Sequence, residues 1–240
     1  MNHNDSSRDT TNPFLSWWFM ASAALILAII VGGLVLWIIT ITTAEDTKPQ
    51  TQTQTQTAAA TCDLPPSDQT GITAIPETGW KLIGAGEQSM SVPVSDTAGP
   101  AHWEGQRPDC WQQSPTGAVL SSAFFVALAS TGDQYELYEN YTLPGPARDA
   151  ALAETPKDED SYTTGLKIEA FRLVNYTNED AQVEIVVSGN SGTGDEPIYA
   201  AATFDVTYHD GDWVYKAPSS GQASIKQIST LDGYTKFMRS

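Results

Sequence analysis

Proton transfer is the chemistry for which this sequence holds the most raw material, because its 240 residues carry 29 Asp+Glu and three His against 12 Lys+Arg. A carboxylate does general acid or base work near neutrality only where an apolar pocket raises its pKa. Asp205 alternates with Phe204 and Val206, and Glu169 shares a parity with Lys167, so both are expected on the wet face of a strand. His102 lies in a Pro/Gly-rich stretch and His209 in a turn, where a polar side chain needs no catalytic reason. Asp158-Glu159-Asp160, with Asp210 and Asp212 further on, has ligand types that suit calcium. The central Gly and terminal Glu of a calcium-binding loop are absent, so a solvated acidic loop is expected instead. Cys62 and Cys110 have neither a further Cys nor a His at metal-ligand spacing, which argues against zinc. They fit a disulfide in an oxidising compartment, with two buried free thiols as the alternative. The sequence has no phosphate-cradling Gly loop, no Gly-x-Ser-x-Gly elbow and no Cys/His nucleophile pair. Asn140-Tyr141-Thr142 and Asn175-Tyr176-Thr177 match the glycosylation acceptor pattern, which matters only in a host that glycosylates such sites. No catalytic, cofactor-binding or metal-binding residue is therefore expected, and no enzymatic activity.

The elements that would hold these groups are clearest after residue 113. Ser114 can cap a helix and Pro115 fits its first position. Val119, Leu120, Ala123, Phe124, Ala127 and Leu128 then recur at helical spacing to about Ser130. That helix is apolar over much of its surface and needs a sheet to cover it. Shorter helices are expected at Gln134–Tyr141 and Ala147–Glu154. AQVEIVV and AATFDVTY alternate with period two, GLKIEAFRLVNY alternates until a slip near Ala170, and Asp210-Gly211 turns the third strand into WVYK. Residues 114–240 thus predict an α+β domain of about three helices on an antiparallel sheet of about four strands. Residues 62–113 are rich in Pro and Gly, with isolated Trp80, Trp103 and Trp111. They predict an extended arm packed onto the domain, with at most one short strand near Trp80–Ile83.

No charged residue lies between Asp9 and Glu45, and residues 14–41 read as a membrane-spanning helix with Trp17, Trp18 and Trp37 at its two ends. The apolar run is too long and its start too weakly basic for a secretory signal, so an uncleaved anchor is expected. Residues 1–13 become a short cytoplasmic tail, and the QT-rich stretch 42–61 a disordered tether. Ala24, Ala28 and Gly32 form a strip of small residues that could pair two such helices. The formal charge of −17 argues against a nucleic-acid partner.

CDLPPSDQTG at the end of the tether, a second Cys shortly before SPTGAVLSSAFFVAL, and DGDWVYKAP followed by ISTLDGYTKF carry a resemblance. They resemble a family of actinobacterial single-pass membrane proteins often associated with integrative conjugative elements. The likeness covers most of residues 62–240, and its motifs are structural rather than catalytic. It implies a cone-shaped fold like nuclear transport factor and ketosteroid isomerase. That fold, anchored outside the cytoplasm, is similar to inner-membrane scaffold subunits of type IV secretion and conjugation systems and to proteins accompanying mycobacterial lipid-import complexes. The function so implied is a membrane-anchored scaffold binding other envelope or secretion-apparatus proteins. The alternatives are a module binding a lipid or apolar ligand among Phe124, Phe171 and Phe204, and an enzyme of isomerase-like fold.

Overall fold

The computed structural model describes residues 62, 64–72, 78–157, 165–190, 196–219 and 223–238. The chain divides into two units, residues 1–56 and 57–240, and every described residue belongs to the second. The expected span with Ala24, Ala28 and Gly32, the tail, the tether and Asp158-Glu159-Asp160 lie outside the described residues. Among the described residues, no helix is long and apolar enough to cross a membrane.

Ser114 accepts a hydrogen bond from the Gly117 amide at 3.0 Å and Pro115 opens helix α1, Pro115–Ser130, as the capping residues predict. Every residue of α1 from Pro115 to Leu128 is buried, so it must be enclosed rather than laid on a surface. Helices α2 (Gln134–Asn140) and α3 (Pro146–Glu154) follow. The main sheet is built from β5 (Lys167–Tyr176), β6 (Asp180–Asn190), β7 (Pro197–His209), β8 (Asp212–Tyr215), β9 (Ser224–Ile228) and β10 (Thr235–Lys236). Its order is β10-β5-β6-β7-β8, and β9 also pairs with β7, every pairing being antiparallel. The α+β class is as expected, but the sheet has six strands rather than about four. The slip near Ala170 is a register shift between Ile168 and Ala170, with a second between Leu173 and Asn175.

The arm is more regular than its composition suggests. Before α1 it forms two antiparallel hairpins, β1 (Gly79–Ile83) with β2 (Met90–Val94) and β3 (His102–Glu104) with β4 (Arg107–Asp109). One short strand was expected; Pro93 and Pro108 inside such short strands mask the period-two signal. The arm also contributes to the core rather than merely covering it. Ile83, Met90, Val92 and Trp111 join Phe124 and Phe125 of α1 and Ile168, Val183, Phe204 and Trp213 of the sheet in one buried cluster.

The opposite face of the sheet carries a second, small cluster of Ala170, Val186 and Ala201, with Ile228, Leu231 and Tyr234 packed against it. β9 pairs with β7 and β10 pairs with β5, so residues 229–234 must cross over β6 between them. The small side chains on the sheet leave room for this strap.

Candidate functional site

The first constellation is the junction of arm and sheet. Cys62 and Cys110 are joined by a disulfide, with 5.4 Å between their Cα atoms. Beside it stands Asp212, placed at the start of β8 by the Asp210-Gly211 turn, whose two residues have φ of 52° and 92°. Its carboxylate accepts hydrogen bonds from the amides of Cys110 at 2.8 Å, Trp111 at 3.0 Å and Trp213 at 2.8 Å. The Trp213 indole donates to the Gln112 carbonyl at 2.9 Å. Asp212, expected as a solvated turn acid, is instead half-buried and ties the arm to the sheet. Burial pushes its carboxyl up to about 6, against the three amides that pull it down.

Trp111 then leads into a group of rings, 5.8 Å from Phe124, 6.1 Å from Phe125 and 6.4 Å from Tyr141, centroid to centroid. Against these rings lies a cavity of about 170 Å³ whose lining joins the arm to α1 and α2. Ile83, Phe124 and Leu128 supply its apolar lining, and Arg107, Asp133, Glu136 and Tyr141 its polar lining. Arg107 Nη2 donates to Glu136 Oε2 at 2.7 Å, while Glu136 Oε1 is buried with no hydrogen-bond partner. Burial raises the Tyr141 hydroxyl above the ordinary phenol value, and the charges of Glu136, Asp212 and Asp109 add to the shift against Arg107. The site is electronegative. None of it is readable from spacing, because Arg107 and Glu136 meet only when the β3–β4 hairpin folds onto α2.

A second constellation lies on the outer face of the sheet. Glu184 accepts from Arg172 Nη2 and Lys226 Nζ, each at 2.5 Å, and from the Tyr234 hydroxyl at 2.9 Å. The Arg172 guanidinium also sits 4.7 Å from the centre of the Tyr234 ring. Burial pushes the Glu184 carboxyl up, but the bonds from Lys226, Tyr234 and Arg172 outweigh it and hold the group below its ordinary value. Strand alternation assigns Glu184 to a wet face; its side of the sheet is as expected, yet the strap covers it and leaves it 5 % exposed.

The remaining candidates do not converge. Asp205 is exposed and accepts from Gln182 Nε2 at 2.8 Å, while Glu169 accepts from the Ser188 hydroxyl at 2.6 Å. His102 pairs with Asp109 across the β3–β4 hairpin at 3.5 Å, and His209 with its neighbour Asp210 at 3.3 Å. Asn140 and Asn175 are exposed at element ends. Phe124, Phe171 and Phe204 are buried, Phe171 against Phe237 at 5.1 Å and Phe204 against Tyr215 at 5.2 Å. Among the described residues, no group of three or more His, Cys, Asp or Glu is placed to hold a metal ion.

No curated protein and no solved structure matches the chain. A family profile described as a domain of unknown function, DUF8175, matches residues 42–236, which run from the expected tether through both constellations to β10. The chain belongs to that family.

Proposed function

We propose that this protein is a membrane-anchored, extracytoplasmic interaction protein, a scaffold component of a conjugative or related secretion assembly. The observation that carries the reading is the filled core. Where an isomerase-like fold would hold ligand, Trp111, Phe124, Phe125, Tyr141, Phe204 and Tyr215 pack ring on ring. Recognition is then left to surfaces and shallow sockets. The disulfide supports an oxidising compartment for residues 62–240, and the charge-free stretch 14–41 supports an anchor beside it. The resemblance to scaffold subunits supplies the kind of assembly. Confinement to the membrane plane would raise the effective concentration of a partner anchored in the same membrane.

Crosslinking of the full chain in its native host, followed by mass spectrometry, tests this. Reproducible capture of envelope or secretion-apparatus proteins is expected; capture of none at saturating crosslinker would overturn the reading.

A further inference from the structure

We propose that the cavity between the β3–β4 hairpin and α2 is a socket for a basic side chain, Lys or Arg, presented by a protein partner. This deepens the interaction reading and rests on it. Three observations converge on the occupant.

The first is an unmet hydrogen-bond acceptor. A buried carboxylate oxygen without a donor is costly, and native structures leave few of them. Glu136, which lines the cavity, has such an atom in its buried Oε1, while its sister Oε2 is engaged by Arg107 at 2.7 Å. Glu136 already accepts one guanidinium and has capacity for a second cationic donor. The second is the balance of charge. Asp133 and Glu136 face one Arg107 in the lining, and the Arg107 side chain is 60 % exposed, so it partly closes the socket without filling it. An anion would meet two carboxylates, whereas a cation would meet them together with the rings of Phe124 and Tyr141.

The third is size and lining. The volume of about 170 Å³ is below the roughly 300–1,000 Å³ of sites that enclose drug-sized ligands. It suits the aliphatic stem of one long side chain, which would lie on Ile83, Phe124 and Leu128 while its charged head reaches Glu136. A basic partner also matches a chain of formal charge −17, which would draw it in over long range.

Methyl NMR of the full chain tests the socket, with Ile83 and Leu128 as reporters in it and exposed Ile225 on β9 as the control. The probes are n-butylguanidinium, n-butylammonium, neutral n-butylurea and an uncharged-ended Gly-Gly-Arg-Gly-Gly peptide. The two cations and the peptide should shift Ile83 and Leu128 in a saturable way with Kd on the order of 1 mM, as expected for so few atoms, and the urea should not. Binding to the free cations with none to the peptide would overturn the assignment to a protein side chain in favour of a small-molecule amine. Glu136→Gln should weaken the cations about tenfold, and Arg107→Gln, which frees Oε2, should tighten them about fivefold. The second effect is one that a merely structural role for the pair would not produce. Cations that move Ile83 and Leu128 no more than Ile225, or that bind Glu136→Gln as they bind the native chain, would overturn the socket. Crosslinking run in parallel separates the two readings. Partners captured without cation binding would sink the socket alone, and cation binding without captured partners would sink the interaction reading and, with it, the partner as occupant, leaving only a cation site.

Discussion

On β6, Val183 and Ile185 turn toward the core and Glu184 turns away, yet Glu184 ends almost as buried as they are because the strap passes over it. A carboxylate taken out of water costs more than any one hydrogen bond returns, and Arg172, Lys226 and Tyr234 together reverse the balance. Its folded pKa lies below the ordinary 4.5, so it contributes stability that is present above that value and lost as pH falls through the lower folded one. Glu184→Gln should cost about 1–3 kcal/mol at pH 7 and abolish this acid limb, read as the urea midpoint between pH 7 and 3. An unchanged acid limb in the variant would show that the strap is held by its apolar contacts alone. Gly117 makes a different single-residue case. A Cβ there would lie 2.0 Å from the Gln112 carbonyl oxygen, inside contact distance of backbone. Although alanine is the better helix former by about 1 kcal/mol, Gly117→Ala should destabilise the protein by about 2 kcal/mol or more in the same assay. This explains why the capping sequence runs Ser-Pro-Thr-Gly: the glycine lets the loop before α1 fold back onto its first turn.

At the scale of elements, the disulfide closes the arm on itself, and Asp212 and the Trp213 indole tie the closed arm to the sheet. The disulfide joins cysteines 48 residues apart, for which chain entropy gives about 4 kcal/mol. Reduction should lower the urea-derived stability by that order, and non-reducing mass analysis should show the bond in the untreated protein. Asp212 acts with the opposite pH sign to Glu184. Its carboxyl is raised from 3.8 to about 6, so the folded state holds the proton more tightly than the unfolded one. Stability from this group therefore declines as pH rises from about 4 to 6 and is level above. Asp212→Asn, which cannot ionise, should flatten that decline, whereas Asp212→Ala, which takes the acceptor away from the amides of Cys110, Trp111 and Trp213, should cost about 1–3 kcal/mol at pH 7. The decline should persist in Glu184→Gln, since the two groups belong to different elements. How far these elements were legible follows from what holds each one. α1 and β5 to β8 are held by repeating apolar faces, which are properties of sequence. β9 is exposed along most of its length and β10 pairs over only two residues, so both are held by pairing with distant strands and leave no local signal. The cysteine pair was legible from counting. Asp212 and Glu136 were not, because each reads as an ordinary surface acid until the arm folds over it.

The whole chain is acidic on one side of its uncharged stretch: residues 62–240 hold 25 Asp+Glu and 10 Lys+Arg, or −15 of the total −17. Such a field governs encounter rather than fold, so stability must come from the core, which is packed with aromatic rings. That distinction separates a scaffold from a ligand carrier. A carrier's native state binds apolar molecules and is stabilised by them in proportion to RT ln(1 + [L]/Kd), whereas a ring-packed core, beside a cavity that Arg107, Asp133 and Glu136 make polar, offers them little. Phe204 is the residue on which to test it, being buried between Phe125 at 6.3 Å and Tyr215 at 5.2 Å. Phe204→Ala should cost about 3–5 kcal/mol and leave a void lined by aromatic and aliphatic groups. Apolar voids of this kind stay dry and accept benzene. Benzene near its solubility limit should therefore raise the melting temperature of Phe204→Ala measurably and leave that of the native chain unmoved. A comparable rise in the native chain would mean that its core opens to apolar molecules, and the lipid-carrier alternative would replace the scaffold.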